Sequence, residues 1–171
     1  LTDMQKMFGL IEQPAKIVDA PDAKPLVRSS TASPSVRFDS VRFGYSASRK
    51  ILDGVSFTIA PGKKLAVVGA SGAGKSTLAR LLFRFYDPDG GAIQIDGVDL
   101  RAMPQDSLRQ LIGVVPQDTV LFNDTIEYNI AYGRPGASRA EVERAAKLAH
   151  LDGFIARLPQ GYETHVGERG L

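Results

Sequence analysis

The sequence contains no cysteine, so disulfides and thiolate metal sites are excluded. Histidine is scarce as well: only His150 and His165 occur, far apart in sequence, and they make a poor metal signal. No apolar run is long enough to cross a bilayer; stretches such as "LAVVGA" fall far short of the roughly 20 residues a spanning helix needs. The opening residues, "LTDMQKMFGLIEQP", lack the basic start and long apolar stretch of a secretory signal. An excess of either charge is missing too. Twenty-one Lys and Arg against 19 Asp and Glu give a net charge of +2, which provides no ground for expecting a nucleic acid or an anionic membrane surface as partner. Internal repeats and low-complexity tracts are absent.

What is present is an ordinary globular composition, 43% hydrophobic and 23% charged, in a chain of 171 residues, enough for one domain with a core. Residues 1–12 place Leu1, Met4, Met7, Phe8 and Ile11 at helical spacing before Pro14. Two readings are open: a short amphipathic helix packed on its own domain, or the tail of a longer helix arriving from another. Residues 13–35, with Pro14, Pro21, Pro25 and Pro34, read as a linker. The chain starts at Leu and stops in a Gly-rich loop, "GYETHVGERGL", so a fragment at both ends is expected.

From residue 36 the pattern changes. "VRFDSVRFGYS" and "ILDGVSFTIA" alternate apolar and polar residues and predict antiparallel strands. "GKKLAVVG" is a continuous apolar run, patterned as a strand buried on both faces. "GAIQIDGVDL" predicts a strand with a turn at Gly97, and "DSLRQLIGVVPQD" a short helix followed by a buried strand ending at Pro116. Beyond Gln117 the pattern is helical: "DTIEYNIAYG" closed by Gly133, then a helix opened by a capping box, Ser138 with Glu141, that places Val142, Ala145, Ala146 and Ala149 on one face. The expected architecture is an α/β core preceded by a small antiparallel sheet and followed by a helical insert. The expected division is 1–35, 36–116 and 117–171.

The chemistry lies in "GASGAGKS", Gly69 to Ser76, which matches G-x-x-x-x-G-K-[ST]. A triphosphate carries several negative charges, and a Gly-rich turn lets successive backbone N–H groups converge on it without Cβ clashes. The helix that follows turns its N-terminus and positive dipole end to the same oxygens. Lys75 supplies a point charge for the phosphates, and Ser76 a hydroxyl for Mg²⁺. A chance match in a chain of this length has a probability of about one per cent, and the position between an apolar run and a helical pattern lowers it further. The predicted contact set is Gly69, Ala70, Ser71, Gly72, Ala73, Gly74, Lys75, Ser76 and Thr77. Hydrolysis also needs an acidic metal ligand and a group to position water. Residues 78–171 contain no apolar run ending in a convincing carboxylate; Asp96 precedes a turn, and Gln117 after "VVP" is a neutral amide, weaker as a ligand for Mg²⁺.

These motifs resemble the front part of the nucleotide-binding domain of ABC transporters, of the exporter type fused to a membrane domain, over essentially the whole chain. The resemblance implies a P-loop NTPase fold with an N-terminal antiparallel β subdomain and the start of a helical subdomain, incomplete at its C-terminal end. It places Tyr45 as the aromatic that stacks on adenine, although the residue taken alone reads rather as a strand aromatic packed on the core. It makes Gln117 the Q-loop sensor of the γ-phosphate and Mg²⁺, and "VGERG" (Val166 to Gly170) the exporter X-loop. In the family the signature, the Walker B Asp, the catalytic Glu and the switch His follow this point, so a chain stopping here is expected to be catalytically incomplete and, alone, marginally stable. "GVVPQDTVLFNDTIEYNIAYGRP" resembles the half-transporters linked to mitochondrial iron–sulfur export and heavy-metal tolerance, and their bacterial relatives.

The resemblance implies ATP and Mg²⁺ as cofactors, glutathione- or metal-linked compounds as cargo, and a membrane domain of the same protein and a second copy of this domain as partners. It puts the domain on the cytoplasmic or mitochondrial matrix face, with the surface around 117–130 receiving the membrane domain. The alternative is a soluble, non-transport ABC-type ATPase. A nucleotide kinase fits less well, because no Arg-rich lid follows the P-loop.

Overall fold

The alternating apolar residues after residue 35 build the sheet that organises the first part of the molecule. In the computed structural model, which describes residues 4, 8, 15–27, 33–46, 49–116 and 120–167, β1 (Val36–Ser46) and β2 (Arg49–Ile59) pair antiparallel as the alternation predicts. β3 (Gly90–Ile95) lies on the other side of β1, and β4 (Val98–Asp99) returns from it through the turn at Asp96 and Gly97, giving the order β2-β1-β3-β4. One face carries Phe38, Val41, Phe43, Leu52, Ile93 and Ile95, each at most 4% exposed.

Phe38 and Val41 are an odd number of residues apart, so strict alternation would send them to opposite faces. A β-bulge resolves the conflict: the pairing with β2 shifts between Phe38 and Val41, and that with β3 between Asp39 and Arg42. Ser40 takes a φ of 49° there, and its amide donates to Ser56 Oγ at 2.8 Å. Gly91 of β3 is pressed against the bulge at φ 79°, and a Cβ on it would lie 2.4 Å from the carbonyl oxygens of Asp39 and Ser40, which leaves glycine as the residue that fits.

The core is completed by Leu81 of α1 (Lys75–Leu82) and by Leu100, Met103 and Leu108, the last on α2 (Gln105–Gln110). Helix α1 ends at Leu82 because Arg84 turns left-handed at φ 52°. The Arg84 amide then donates to Leu81 O at 2.9 Å and the Phe85 amide to Arg80 O at 3.0 Å, a Schellman closure.

Two expectations are not met. Residues 63–69 and 112–116, the continuous apolar runs read as buried strands, belong to no strand among the described residues. Val68 is 88% and Val115 95% exposed. A run patterned for burial on both faces needs a hydrogen-bonded neighbour, and no described residue pairs with either run.

The chain divides into two compact units, Leu1–Gly113 and Val114–Leu171. In the second, β5 (Asp124–Thr125) pairs antiparallel with β6 (His165–Val166). Thr125 caps α3 (Ile126–Ala131), its Oγ1 accepting from the Tyr128 amide at 3.0 Å. Helix α4 (Arg139–Leu148) starts with the capping box read from the sequence: Glu141 accepts from both the amide and the hydroxyl of Ser138, at 2.9 Å each. It buries Val142 and Ala146, while Ala145 and Ala149 stay exposed. His150 closes it left-handed at φ 58°, a backbone role rather than a chemical one. Arg139 joins this unit together by lying 4.2 Å over the Tyr162 ring while donating to Glu143 at 2.9 Å and to Glu127. Helix α5 (Asp152–Ile155) follows.

Of the helical lead-in, Met4 and Phe8 are helical and exposed; the rest of residues 1–14 lies outside the described residues. Residues 15–27 contain no helix or strand, and they are held down. Val18 O, the Asp19 carboxylate and the Lys24 amide all bond to residues between Arg84 and Gln105.

Candidate nucleotide site

The predicted phosphate loop leads directly into α1, as the motif requires. Gly74 is the N-cap residue of that helix and holds φ 93°, a left-handed conformation that L side chains rarely adopt. A Cβ there would also come 2.9 Å from Leu52 Cδ2, so the loop is packed against β2 as well as turned by it. Gly72, at φ 82°, makes the preceding turn. The glycines therefore do local work: they bring the loop's backbone round onto the N-terminal end of a helix.

Lys75 folds back over the loop. Its Nζ donates to the carbonyl oxygens of Gly69 and Ala70, at 2.7 Å each. An ammonium has three N–H donors, so one is left for an anion, and the charge already stands at the mouth of the loop. Ser71, Ala73 and Ser76 are exposed around it. The α1 N-terminus carries no acidic residue in its first turn, which keeps the dipole end free for an anion.

Thr77, buried at 5% exposure, links this loop to the predicted adenine aromatic: its Oγ1 lies 3.2 Å from the Tyr45 hydroxyl. Arg80 Nη1 donates to the same hydroxyl at 3.0 Å. The Tyr45 ring stands edge-on to Phe43, with centroids 5.0 Å apart, and to Tyr86 at 5.3 Å. The hydrogen bond with Thr77, reinforced by Arg80 against a smaller cost of burial, holds the Tyr45 phenol below its ordinary pKa. Tyr45 is 46% exposed, so it has surface available to a flat ligand. Sequence reasoning named Tyr45 but missed Arg80 and Tyr86. The available signal was spacing: Thr77 and Arg80 are three apart on a helix and so share a face.

Arg49 and Lys50, beside Tyr45 in sequence, are exposed, and Lys50 Nζ lies 3.9 Å from the Asp53 carboxylate rather than at the loop. Gln117 and residues 168–171, with most of the "VGERG" segment, lie outside the described residues. Among the described residues, no group of three or more His, Cys, Asp or Glu could hold a metal ion. Chemically, the arrangement can accept a polyanion beside an exposed aromatic, and the exposed Ser76 hydroxyl is the one site residue that could turn toward a cation.

Comparison with known proteins agrees with this geometry. The ABC transporter family model matches residues 52–169. An ATM1-type heavy metal exporter of Novosphingobium aromaticivorans is 61% identical over 171 residues, which are all of this chain and 28% of that protein. The mitochondrial iron–sulfur clusters transporter atm1 of Aspergillus fumigatus is 53% identical over 171 residues, again all of this chain and 23% of the relative. ATP-binding cassette sub-family B member 6 of Homo sapiens is 53% identical over 169 residues, 99% of this chain and 20% of that protein. The chain thus spans between a fifth and three tenths of the length of these relatives. Among solved structures, a bacterial Atm1-family ABC exporter with ATP bound superimposes with a TM-score of 0.89 at 61% identity, over 99% of this chain and 29% of that one. With the family model matching well over half of its length and the Gly-rich loop opening α1, the chain belongs to the ABC transporter family, in the P-loop ATPase fold of its nucleotide-binding domain.

Proposed function

We propose that this chain is the ATP-binding part of a membrane exporter in which ATP binding and hydrolysis drive transport. The observation that carries the reading is the phosphate loop itself: Gly74 turns the chain onto the N-terminus of α1 while Lys75 stands across its mouth, bonded at 2.7 Å to two loop carbonyls. In this reading residues Gly69 to Thr77 bind the triphosphate and Tyr45 receives the adenine. A magnesium ion is held chiefly by phosphate oxygens, with Ser76 and Gln117 as protein ligands. That division suits the site, because Mg²⁺ commonly binds through substrate phosphates and few protein groups. Gln117 acts as the sensor of the γ-phosphate. The carboxylates of hydrolysis come from outside these residues.

The partners in this reading are a membrane domain of the same protein and a second copy of this domain, with the ATPase on the cytoplasmic or matrix side. Heavy metals and iron–sulfur clusters in the names of the relatives favour metal-linked cargo. The test is phosphate release by the full-length protein in lipid vesicles. Turnover is expected in the wild type and only background release from Lys75→Ala. A Lys75→Ala protein hydrolysing at the wild-type rate contradicts the reading. Recovery of the active full-length protein from the soluble fraction, without lipid, would instead favour a non-transport ATPase.

A further inference from the structure

Arg84 is only 3% exposed, yet neither the phosphate site nor the sheet uses its charge. Its guanidinium is surrounded by acceptors. Nε donates to Asp87 Oδ1 at 3.0 Å; Nη1 to Asp19 Oδ1 at 3.3 Å and to Met103 O at 3.1 Å; Nη2 to Val18 O at 3.2 Å. Two of these acceptors belong to the segment that enters the domain ahead of β1. Asp19 is committed a second time: its carboxylate accepts from the Gln105 amide, the first of α2, and from Gln105 Nε2, each at 3.1 Å. A planar fork of donors satisfies several acceptors fixed in direction, which a lysine ammonium cannot reproduce.

The position of Arg84 in the chain gives this cluster a role beyond holding a loop. Arg84 follows α1 directly, and the Schellman closure fixes its backbone to the last turn of that helix. The opposite end of α1 is the phosphate-binding end. The two ends are about 12 Å apart on one hydrogen-bonded rod of eight residues. A change in the position of α1 on capture of a triphosphate at Lys75 therefore reaches Val18 and Asp19 through Arg84, and a pull on the entering segment reaches the phosphate loop by the same contacts.

We propose that Arg84 and Asp19 form a latch that couples the segment entering the domain to nucleotide occupancy of the phosphate loop. The inference rests on the reading of the α1 N-terminus as the triphosphate site. Arg84 acts as a positioning residue, touching the entering segment and not the nucleotide. Linkage makes the effect reciprocal: occupancy tightens the contacts at residues 18–19, and tension there alters nucleotide affinity.

The experiment is hydrogen–deuterium exchange of the full-length protein, followed by mass spectrometry, with Mg²⁺ and the non-hydrolysable analogue AMP-PNP as the probe. In the wild type the analogue is expected to slow exchange at least threefold in peptides covering residues 15–27. In Asp19→Asn, which keeps the shape and loses the charge, the protection is expected to fall to less than a third of that while AMP-PNP still binds at saturating concentration; Asp19→Glu is expected to regain part of it. A role confined to stability changes exchange equally with and without nucleotide. Equal nucleotide-dependent protection in wild type and Asp19→Asn overturns the latch. Absence of any such protection in the wild type overturns it without a variant. AMP-PNP binding, sensitive to Lys75→Ala, is measured alongside. Its loss from the wild type sinks the site itself, whereas binding without protection at 15–27 sinks the latch alone.

Discussion

The antiparallel sheet and the two continuous apolar runs are made of the same residues, Val, Ile and Leu, and end in opposite environments. Val41 of β1 is 0% exposed and Ile93 of β3 is 2%, whereas Val68 is 88% exposed and Val115 95%. The difference is one of partners rather than composition. A strand with alternating side chains needs one covering layer, and β1, β2 and β3 supply one another's hydrogen bonds within 60 residues of chain. A continuous apolar run is fit for the interior of a parallel sheet, with neighbours on both edges and layers on both faces. No described residue supplies those neighbours, and the relatives that share this sequence are more than three times as long. Hydrophobicity gives a segment reason to be buried; topology decides whether it is.

The largest effect is expected where a buried charge would lose its partners. Asp19→Ala combined with Asp87→Ala in the complete domain leaves the Arg84 guanidinium, 3% exposed, without a carboxylate partner, and denaturant unfolding should show a loss of about 3–5 kcal/mol. Next comes a direct contrast of the two regions. Ile93→Ala should cost about 2–5 kcal/mol, as expected for a cavity in a packed core. Val68→Ala in residues 1–171 should stay within about 0.5 kcal/mol, as at an exposed surface. Repeating Val68→Ala in a longer chain sharpens the comparison, because the cost should rise once neighbouring strands are present. An unchanged small cost would mean that the run is a surface element.

A subtler break concerns the second unit. Phe122 is 45% exposed and packs on Tyr132 with ring centroids 4.4 Å apart. If this surface meets a membrane domain, Phe122→Asp in the full-length protein should leave ATP affinity within about twofold while lowering turnover stimulated by cargo, and stimulation that survives intact would argue against such a docking face. The smallest effect is at the α4 cap. The Ser138 amide, then its hydroxyl and the charge of Arg134, hold the Glu141 carboxyl below its ordinary range. A folded value lying below the unfolded one means that the stabilisation is fully present above about pH 4.3 and is lost as pH falls through the folded value. Melting curves of Glu141→Gln against pH should accordingly be flatter than wild type on the acid side.

Much of this was legible from sequence because its causes are local. The hairpin of alternating strands, the turn at Gly97, the capping box at Ser138 and the entry of the phosphate loop into α1 each follow from residues a few positions apart. The bulge at Ser40 was only implicit, as a break of phase between Phe38 and Val41. Arg84 was hidden. In "LLFRFYDP" it reads as an ordinary exposed arginine, and its burial depends on Asp19, 65 positions earlier, and on Met103, 19 positions later. At the site, Tyr45 was found through family resemblance, whereas its hydrogen bonds to Thr77 and Arg80 required the strand and the helix to be placed side by side.

The central claim is that Gly69 to Thr77 binds a nucleoside triphosphate with Lys75 as its principal side-chain charge. Titration calorimetry of Mg-ATP into the full-length protein and its Lys75→Ala form tests this most directly. Loss of a charge-assisted contact of this kind is worth roughly 1.5–3 kcal/mol, so the variant should bind about ten- to a hundredfold more weakly. Equal affinity in the two proteins would contradict the assignment of this loop as the nucleotide site.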